Sequence, residues 1–206
     1  MKRRLLLAAS AAALAGCSAL PSKPVRQTLY DFGLAPAAEA RPAGTRAPLV
    51  LPEVEADGML ETPALLYRLG YEDAHELRPY AYARWSAPPT QLVRQRLREV
   101  LGRDHAVLDN SAAATLVRRG AERPPVLRVE LEEFSQVFDA PGTSRGMVRL
   151  RCTLLQAAGG GERLVAQRGF EVERPAPSAD AAGGVRALTA AIDAAALDIA
   201  RWLQQP

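Results

Sequence analysis

The sequence of 206 residues contains few of the side chains from which active sites are built. It has only two cysteines and two histidines, and aromatic residues make up 5% of it. It also lacks glycine-rich phosphate loops, a nucleophile elbow and the His and Cys spacings of common metal sites. We therefore expect a protein that is not an enzyme and that needs neither a cofactor nor a metal ion.

Beyond residue 16, the sequence has no excess of basic over acidic residues. Residues 1–16 contain Lys2, Arg3 and Arg4 and no acidic residue. Removing these three from the 26 basic residues leaves 23, which equals the 23 acidic residues. General binding to nucleic acid needs a basic excess or a dense basic face. The sequence therefore predicts a protein that does not bind nucleic acid.

The N-terminal apolar stretch is too short to span a membrane. It runs over eleven residues from Leu5 to Ala15, whereas a transmembrane helix needs about 20. A basic start followed by such a stretch is typical of a secretory signal peptide. The stretch ends in Leu14-Ala15-Gly16-Cys17, which resembles the bacterial lipobox. The resemblance implies that residues 1–16 are removed and that Cys17 carries a diacylglyceryl anchor.

The residues after Cys17 indicate where the anchored protein resides. About three acyl chains on one cysteine give effectively permanent membrane attachment. Ser18 follows Cys17, and no aspartate stands there. By resemblance to the sorting rule for bacterial lipoproteins, this implies the outer membrane, with the body facing the periplasm. Residues 17–27 then form a short lipidated tether, and residues 28–206 form a single domain.

Cys152 has no cysteine left with which to pair if Cys17 carries lipid. It alternates with Val148, Leu150 and Leu154 in a pattern typical of one strand face. A small buried apolar side chain is the interpretation that we favour over a reactive thiol.

The pattern of apolar residues and turns predicts an α+β fold. We expect a mostly antiparallel sheet with two main helices packed on one face. Strands are predicted over 28–34, 49–54, 65–69, 77–85, 105–108, 126–138, 145–157 and 163–173. The strands at 65–69 and 77–85 are expected to form a hairpin, and the last three strands an antiparallel meander.

The two predicted helices cover 90–101 and 185–203. The first has a basic face of Arg94, Arg96 and Arg98, for which we favour exposure to water over contact with an acidic partner or anionic lipid. The second carries a single apolar stripe that we expect to pack on the sheet, formed by Val185, Leu188, Ile192, Ala195, Ile199 and Trp202.

Three segments in sequence resemble a known family. They are Leu66-Tyr67-Arg68, then Tyr80 to Pro89 with Arg84-Trp85 inside it, then the leucine-spaced helix at 90–101. Their order resembles that of the ABC-type transport auxiliary lipoproteins, which include PqiC-like intermembrane transport lipoproteins. The similarity extends over about 28–203.

The resemblance implies a docking role without catalysis. Such lipoproteins work with an MCE-domain protein and an associated ABC transporter that move lipids between two membranes. Assembly into a homo-oligomer remains open. The motif residues are candidates either for structural packing at the strand-to-helix turn or for the partner interface: Tyr67, Arg68, Tyr82, Arg84, Trp85 and Pro88. The alternative function is an envelope-assembly or structural lipoprotein without a transport role.

Overall fold

The computed structural model describes residues 26–35 and 46–204. The predicted signal peptide, Cys17 and most of the predicted tether lie outside these residues.

Nine strands and three α-helices are present in the described part of the chain. The strands are β1 (Thr28–Tyr30), β2 (Arg46–Val50), β3 (Glu55–Ala56), β4 (Ala64–Leu69), β5 (Arg78–Trp85), β6 (His105–Leu108), β7 (Val126–Ala140), β8 (Thr143–Ala158) and β9 (Gly161–Pro175). The helices are α1 (Pro89–Leu101), α2 (Asn110–Arg118) and α3 (Ala181–Trp202), and a 3₁₀ turn covers Gly58–Glu61.

The sheet is mixed, so the prediction of a mostly antiparallel sheet was wrong. The meander β7–β8–β9 and the hairpin β4–β5 are antiparallel, as predicted. However, β2, β3 and β4 all run parallel to β7, β1 runs parallel to β5, and β2 runs parallel to β6. Side-chain alternation shows which face a strand buries but not the direction of its neighbour. Parallel neighbours need long crossover connections, and here α1, β6 and α2 lie between the early strands and β7.

A third helix, α2, was not predicted. Its first turn is capped by Asp109, whose carboxylate accepts a hydrogen bond from the N–H of Ala112 at 2.8 Å. Only Ala113 of this helix is fully buried. Its nine residues leave room for only a short apolar stripe, formed by Ala113, Leu116 and Val117, and the aspartate cap was the local signal of its start.

Helix α3 packs its apolar stripe on the sheet, as predicted. Ile192, Ala195 and Ile199 are fully buried, and Trp202 is half-buried. The helix begins at Ala181, before the predicted start at 185, because the carboxylate of Asp180 accepts the N–H of Gly183 at 2.7 Å.

Two glycines allow α3 to lie very close to the sheet. A Cβ on Gly146 of β8 would stand 2.6 Å from the backbone nitrogen of Leu188. A Cβ on Gly184 of α3 would collide with the side-chain amide of Gln136 on β7, which is buried and hydrogen-bonded to Tyr80 and Ser144. No side chain fits at either contact, so these residues set the distance between the helix and the sheet.

Cys152 lies in the core beneath α3, as predicted. Val148, Leu150 and Leu154 are buried on the same face. Burial raises the pKa of the Cys152 thiol to about 12, and the nearby charge of Glu130 acts in the same direction. The thiol is therefore neutral at physiological pH, and it has the environment of a packing residue.

Candidate docking surface

The described chain enters the fold at one edge of the sheet. Strand β1 pairs with β5 so that Leu29 lies opposite Arg84 and Tyr30 lies opposite Trp85. The side-chain amide of Gln27 extends this contact by donating to the carbonyl of Ala81 at 3.2 Å. The predicted tether therefore leads directly into β1.

The outer face of β1 and β5 presents an apolar, an aromatic and a cationic side chain to solvent. Leu29 is 56% exposed and Tyr82 is 61% exposed, and Arg84 is also exposed. Tyr82 precedes Arg84 by two residues, which in a strand places both on one face. We call Leu29, Tyr82 and Arg84 the β1–β5 surface. Tyrosine and arginine are enriched at protein interfaces.

A groove of about 510 Å³ continues from this surface toward α3. Leu29 and Tyr30 line it on the strand side, and Val185, Ala190 and Asp193 line it on the helix side. An exposed residue of the β1–β5 surface therefore also forms the rim of a concave, largely apolar site, which is a shape that a partner can fill.

An aromatic cluster supports the β1–β5 surface from below. The rings of Phe32, Trp85 and Phe134 lie with their centroids 5.4 to 5.8 Å apart. Trp85 is almost fully buried. Pro88 occupies the N-cap position of α1 and Pro89 lies in its first turn, where proline is favoured because a backbone N–H at that place would have no helical partner. Trp85 and Pro88 therefore hold the strand-to-helix turn in place.

Arg96 connects this region to both long helices. It is only 2% exposed, and it donates to the carbonyl oxygens of Phe32 at 2.8 Å and Gly33 at 3.1 Å. Its guanidinium also pairs with Asp193 of α3 at 2.5 Å and with Glu99 at 3.3 Å. Burial raises the pKa of Asp193, and the charge of Arg96 opposes that rise.

The prediction that three arginines of α1 form a face in water was wrong for two of them. Arg96 is buried, and Arg94 is half-buried with its Nε donating to the carbonyl of Pro52 at 2.9 Å. Only Arg98 is exposed. A sequence signal for Arg96 did exist, because it lies four residues after Leu92 and four before Val100, on the apolar stripe itself.

Tyr67 and Arg68 lie in a different part of the sheet from the β1–β5 surface. The ring of Tyr67 packs 4.6 Å from that of Tyr80, whose hydroxyl donates to Oε1 of Gln136 at 2.9 Å. Burial raises the pKa of Tyr80 above its usual range. Arg68 pairs with Glu133 at 3.0 Å. Both motif residues therefore make contacts inside the protein.

The six candidate residues thus divide into two groups. Tyr82 and Arg84 are exposed beside each other, whereas Tyr67, Arg68, Trp85 and Pro88 are buried or half-buried in the framework. Leu29 was not among the candidates. Its exposure depends on the pairing of β1 with β5, which the sequence does not encode locally.

Comparison with known proteins identifies the family. Residues 30–200 match the family model described as the ABC-type transport auxiliary lipoprotein component. The chain belongs to this family. The matched residues include all of the motif positions and the whole of the sheet beyond β1. No curated protein sequence matches the chain.

Two solved structures share the fold of this auxiliary lipoprotein component. A Xanthomonas campestris protein of the DUF330 family is 19% identical, with a TM-score of 0.67 over 85% of this chain and 94% of that one. An uncharacterized protein is 15% identical, with a TM-score of 0.61 over 86% of this chain and 99% of that one. Among residues 26–35 and 46–204, no helix is long and apolar enough to cross a membrane.

Proposed function

We propose that the protein is an outer-membrane-anchored, periplasm-facing lipoprotein subunit of an MCE- and ABC-type intermembrane lipid transport system. The family match over residues 30–200 carries this proposal. The lipobox ending in Cys17 supports the anchor, and Ser18 at the next position supports the outer membrane. The subunit acts by docking to an MCE-domain protein and, through it, to the ABC transporter.

The β1–β5 surface is the proposed contact for the MCE-domain partner. It combines exposed Leu29, Tyr82 and Arg84 with an adjacent groove, and Arg96 and the aromatic cluster hold its backbone rigid. Tyrosine and arginine are among the side chains that contribute most to binding energy at interfaces. Cys17 stands eleven residues before Thr28, so this surface lies within roughly 40 Å of the anchor.

Co-purification of the mature protein with the MCE-domain protein of the same bacterium tests the proposal. We expect the wild type to bind, and we expect the double variant Tyr82→Ser/Arg84→Ser to bind at least about tenfold more weakly with an unchanged melting temperature. The double variant Tyr71→Ser/Arg98→Ser is the matched control, because both residues are exposed elsewhere on the protein.

Each negative result has a distinct meaning. Equal binding by both double variants would exclude the β1–β5 surface as the contact. Failure of the wild type to bind any MCE-domain protein would exclude the transport role and favour the envelope-assembly or structural alternative. Light scattering on the same samples measures whether copies of the chain assemble.

A further inference from the structure

Strand β9 forms a long outer edge of the sheet. In the described part of the chain it pairs only with β8. The pairing is regular from Ala166 to Pro175, and a register shift marks a bulge at Val165. An edge strand of this kind carries a row of unpaired backbone donors and acceptors that another strand can bind.

The register identifies which backbone groups of β9 face outward. The N–H of Ala176 donates to the carbonyl of Ser144 at 2.8 Å, in line with the opposition of Arg145 and Pro175. Alternate residues of an antiparallel pair exchange hydrogen bonds. The backbone groups of the even-numbered residues therefore face β8, and those of Gln167, Gly169, Glu171 and Glu173 face away. Pro175, which has no N–H, belongs to the outward series.

A groove of about 450 Å³ lies between this edge and the end of α3. Phe170 and Trp202 line it, with their rings in an edge-to-face contact at 5.8 Å. Beside the groove, Gly169 leaves open space, since a Cβ there would meet no atom within 4 Å. The outward backbone groups of β9 therefore lie beside the groove lined by Phe170 and Trp202, so a strand added at this edge could contact both.

The groove also contains one cation without a carboxylate. Glu171 pairs with Arg149 at 2.9 Å, and Asp198 pairs with Arg201. Arg168 stacks on the ring of Phe170, with its guanidinium carbon 5.2 Å from the ring centroid. Among the residues that the structure describes, Arg168 has no ion-pair partner, so the site favours a ligand with a negative charge.

We propose that β9 binds an extended segment of a partner protein, which joins the sheet as an additional strand. The segment places an apolar or aromatic side chain against Phe170 and Trp202 and an acidic side chain against Arg168. Main-chain hydrogen bonds supply affinity in this binding mode, and the alternating side chains supply specificity. The proposal does not require the partner to be an MCE-domain protein.

A second copy of this chain fits the edge less well than a different protein. Suppose that two copies pair through their β9 edges, with α3 of both copies on the same face of the joined sheet. The even-numbered residues of one β9 strand would then lie opposite the even-numbered residues of the other. This series comprises Arg168, Phe170, Val172 and Arg174 and contains no acidic residue. Arg168 would again lack a carboxylate, and the facing series of the second copy would add two more arginines.

Selection of phage-displayed random twelve-residue peptides against the mature, detergent-purified protein tests the proposal. Gly169→Pro removes an outward N–H, while Gly169→Ala keeps it and adds a methyl group in open space. Both variants keep the hydrogen bonds to β8. We expect the enriched peptides to alternate in polarity and to carry Asp or Glu. Their dissociation constants should rise at least about tenfold for Gly169→Pro and change less than about twofold for Gly169→Ala.

Two further measurements keep the test decisive. If Gly169→Pro melts below the wild type, the pair Gln167→Pro and Gln167→Ala replaces it, because the N–H of Gln167 also faces outward. Arg168→Gln should weaken the binding of acidic peptides more than the binding of their amide analogues.

The proposal is wrong if no peptide is enriched, or if the proline variants bind the enriched peptides as tightly as the wild type does. It is also wrong if the wild type forms oligomers that the proline variants dissociate, because a second copy would then occupy the edge.

Discussion

The guanidinium of Arg96 joins three parts of the chain that are far apart in sequence. It binds backbone carbonyls of the segment after β1, a carboxylate on α3, and Glu99 on its own helix. Each of its donor nitrogens is thus used in a site that water hardly reaches. Such a group stabilises the native arrangement only while its partners are present, because an uncompensated buried charge is costly.

We predict that Arg96→Met lowers the free energy of unfolding by about 3–5 kcal/mol, because it leaves Asp193 and two carbonyl groups without their donor. Arg98→Met, on the exposed side of the same helix, should change it by no more than about 0.5 kcal/mol. Urea denaturation measures both.

A double-mutant cycle with Asp193→Leu isolates the ion pair. The double variant Arg96→Met/Asp193→Leu should be more stable than the sum of the single losses predicts. Strictly additive losses would show that Arg96 stabilises the fold through the carbonyls of Phe32 and Gly33 and through Glu99, and not through Asp193.

At this scale, burial could be predicted for Cys152 but not for Arg96. Alternation along a strand assigns Cys152 to the apolar face whatever its neighbours are. Arg96 lies on an apolar helical stripe, but a charged side chain there is buried only if other segments bring its partners. Those partners, Asp193 and the carbonyl of Phe32, are distant in sequence.

Helix α3 is the element on which the sheet depends most. It covers β7, β8 and β9 and contacts α1, and its buried face includes Leu188, Ile192 and Ile199. The spacing of the apolar residues predicted this buried face correctly, because a helix with a single apolar stripe can pack on a sheet only through that stripe.

We predict that Ile192→Asp destabilises the protein by more than about 3 kcal/mol, because it places an unpaired charge in the core. Leu197→Asp is the matched control on the same helix, and Leu197 is 46% exposed. It should cost less than about 1 kcal/mol.

Thermal melting beside size-exclusion chromatography distinguishes the outcomes for these two variants. An unchanged melting temperature for Ile192→Asp, with a smaller particle, would mean that the stripe serves assembly instead of packing on the sheet.

Strand directions and helix α2 are the element-scale features that could not be predicted. The meander was predictable because short turns force consecutive strands to run antiparallel. The parallel pairs form between strands distant in sequence, so no turn encodes them. Helix α2 buries little, and its cap at Asp109 was a weak signal compared with an apolar period.

For the whole molecule, the predicted N-terminal signal is the feature on which the proposed membrane anchor depends. We predict that the intact mass of the purified wild type exceeds that of the polypeptide 17–206 by the mass of its acyl groups. Cys17→Ser should accumulate as an unlipidated, uncleaved or mis-sorted precursor. Mass spectrometry checks both results, and a mature N-terminus at another residue, or a bare Cys17, would contradict the prediction.

The attachment of β1 also determines how mechanical force enters the protein. Tension on the chain before Arg26 reaches the body through the ladder from Thr28 to Tyr30 and the bond from the N–H of Ser86 to Tyr30 at 2.7 Å. Beyond these, the two carbonyls held by Arg96 carry the load directly to α1 and, through Asp193, to α3. A pull on this part of the chain is therefore shared by both long helices, and β1 with the segment that follows it cannot detach without breaking the hydrogen bonds that the buried Arg96 donates.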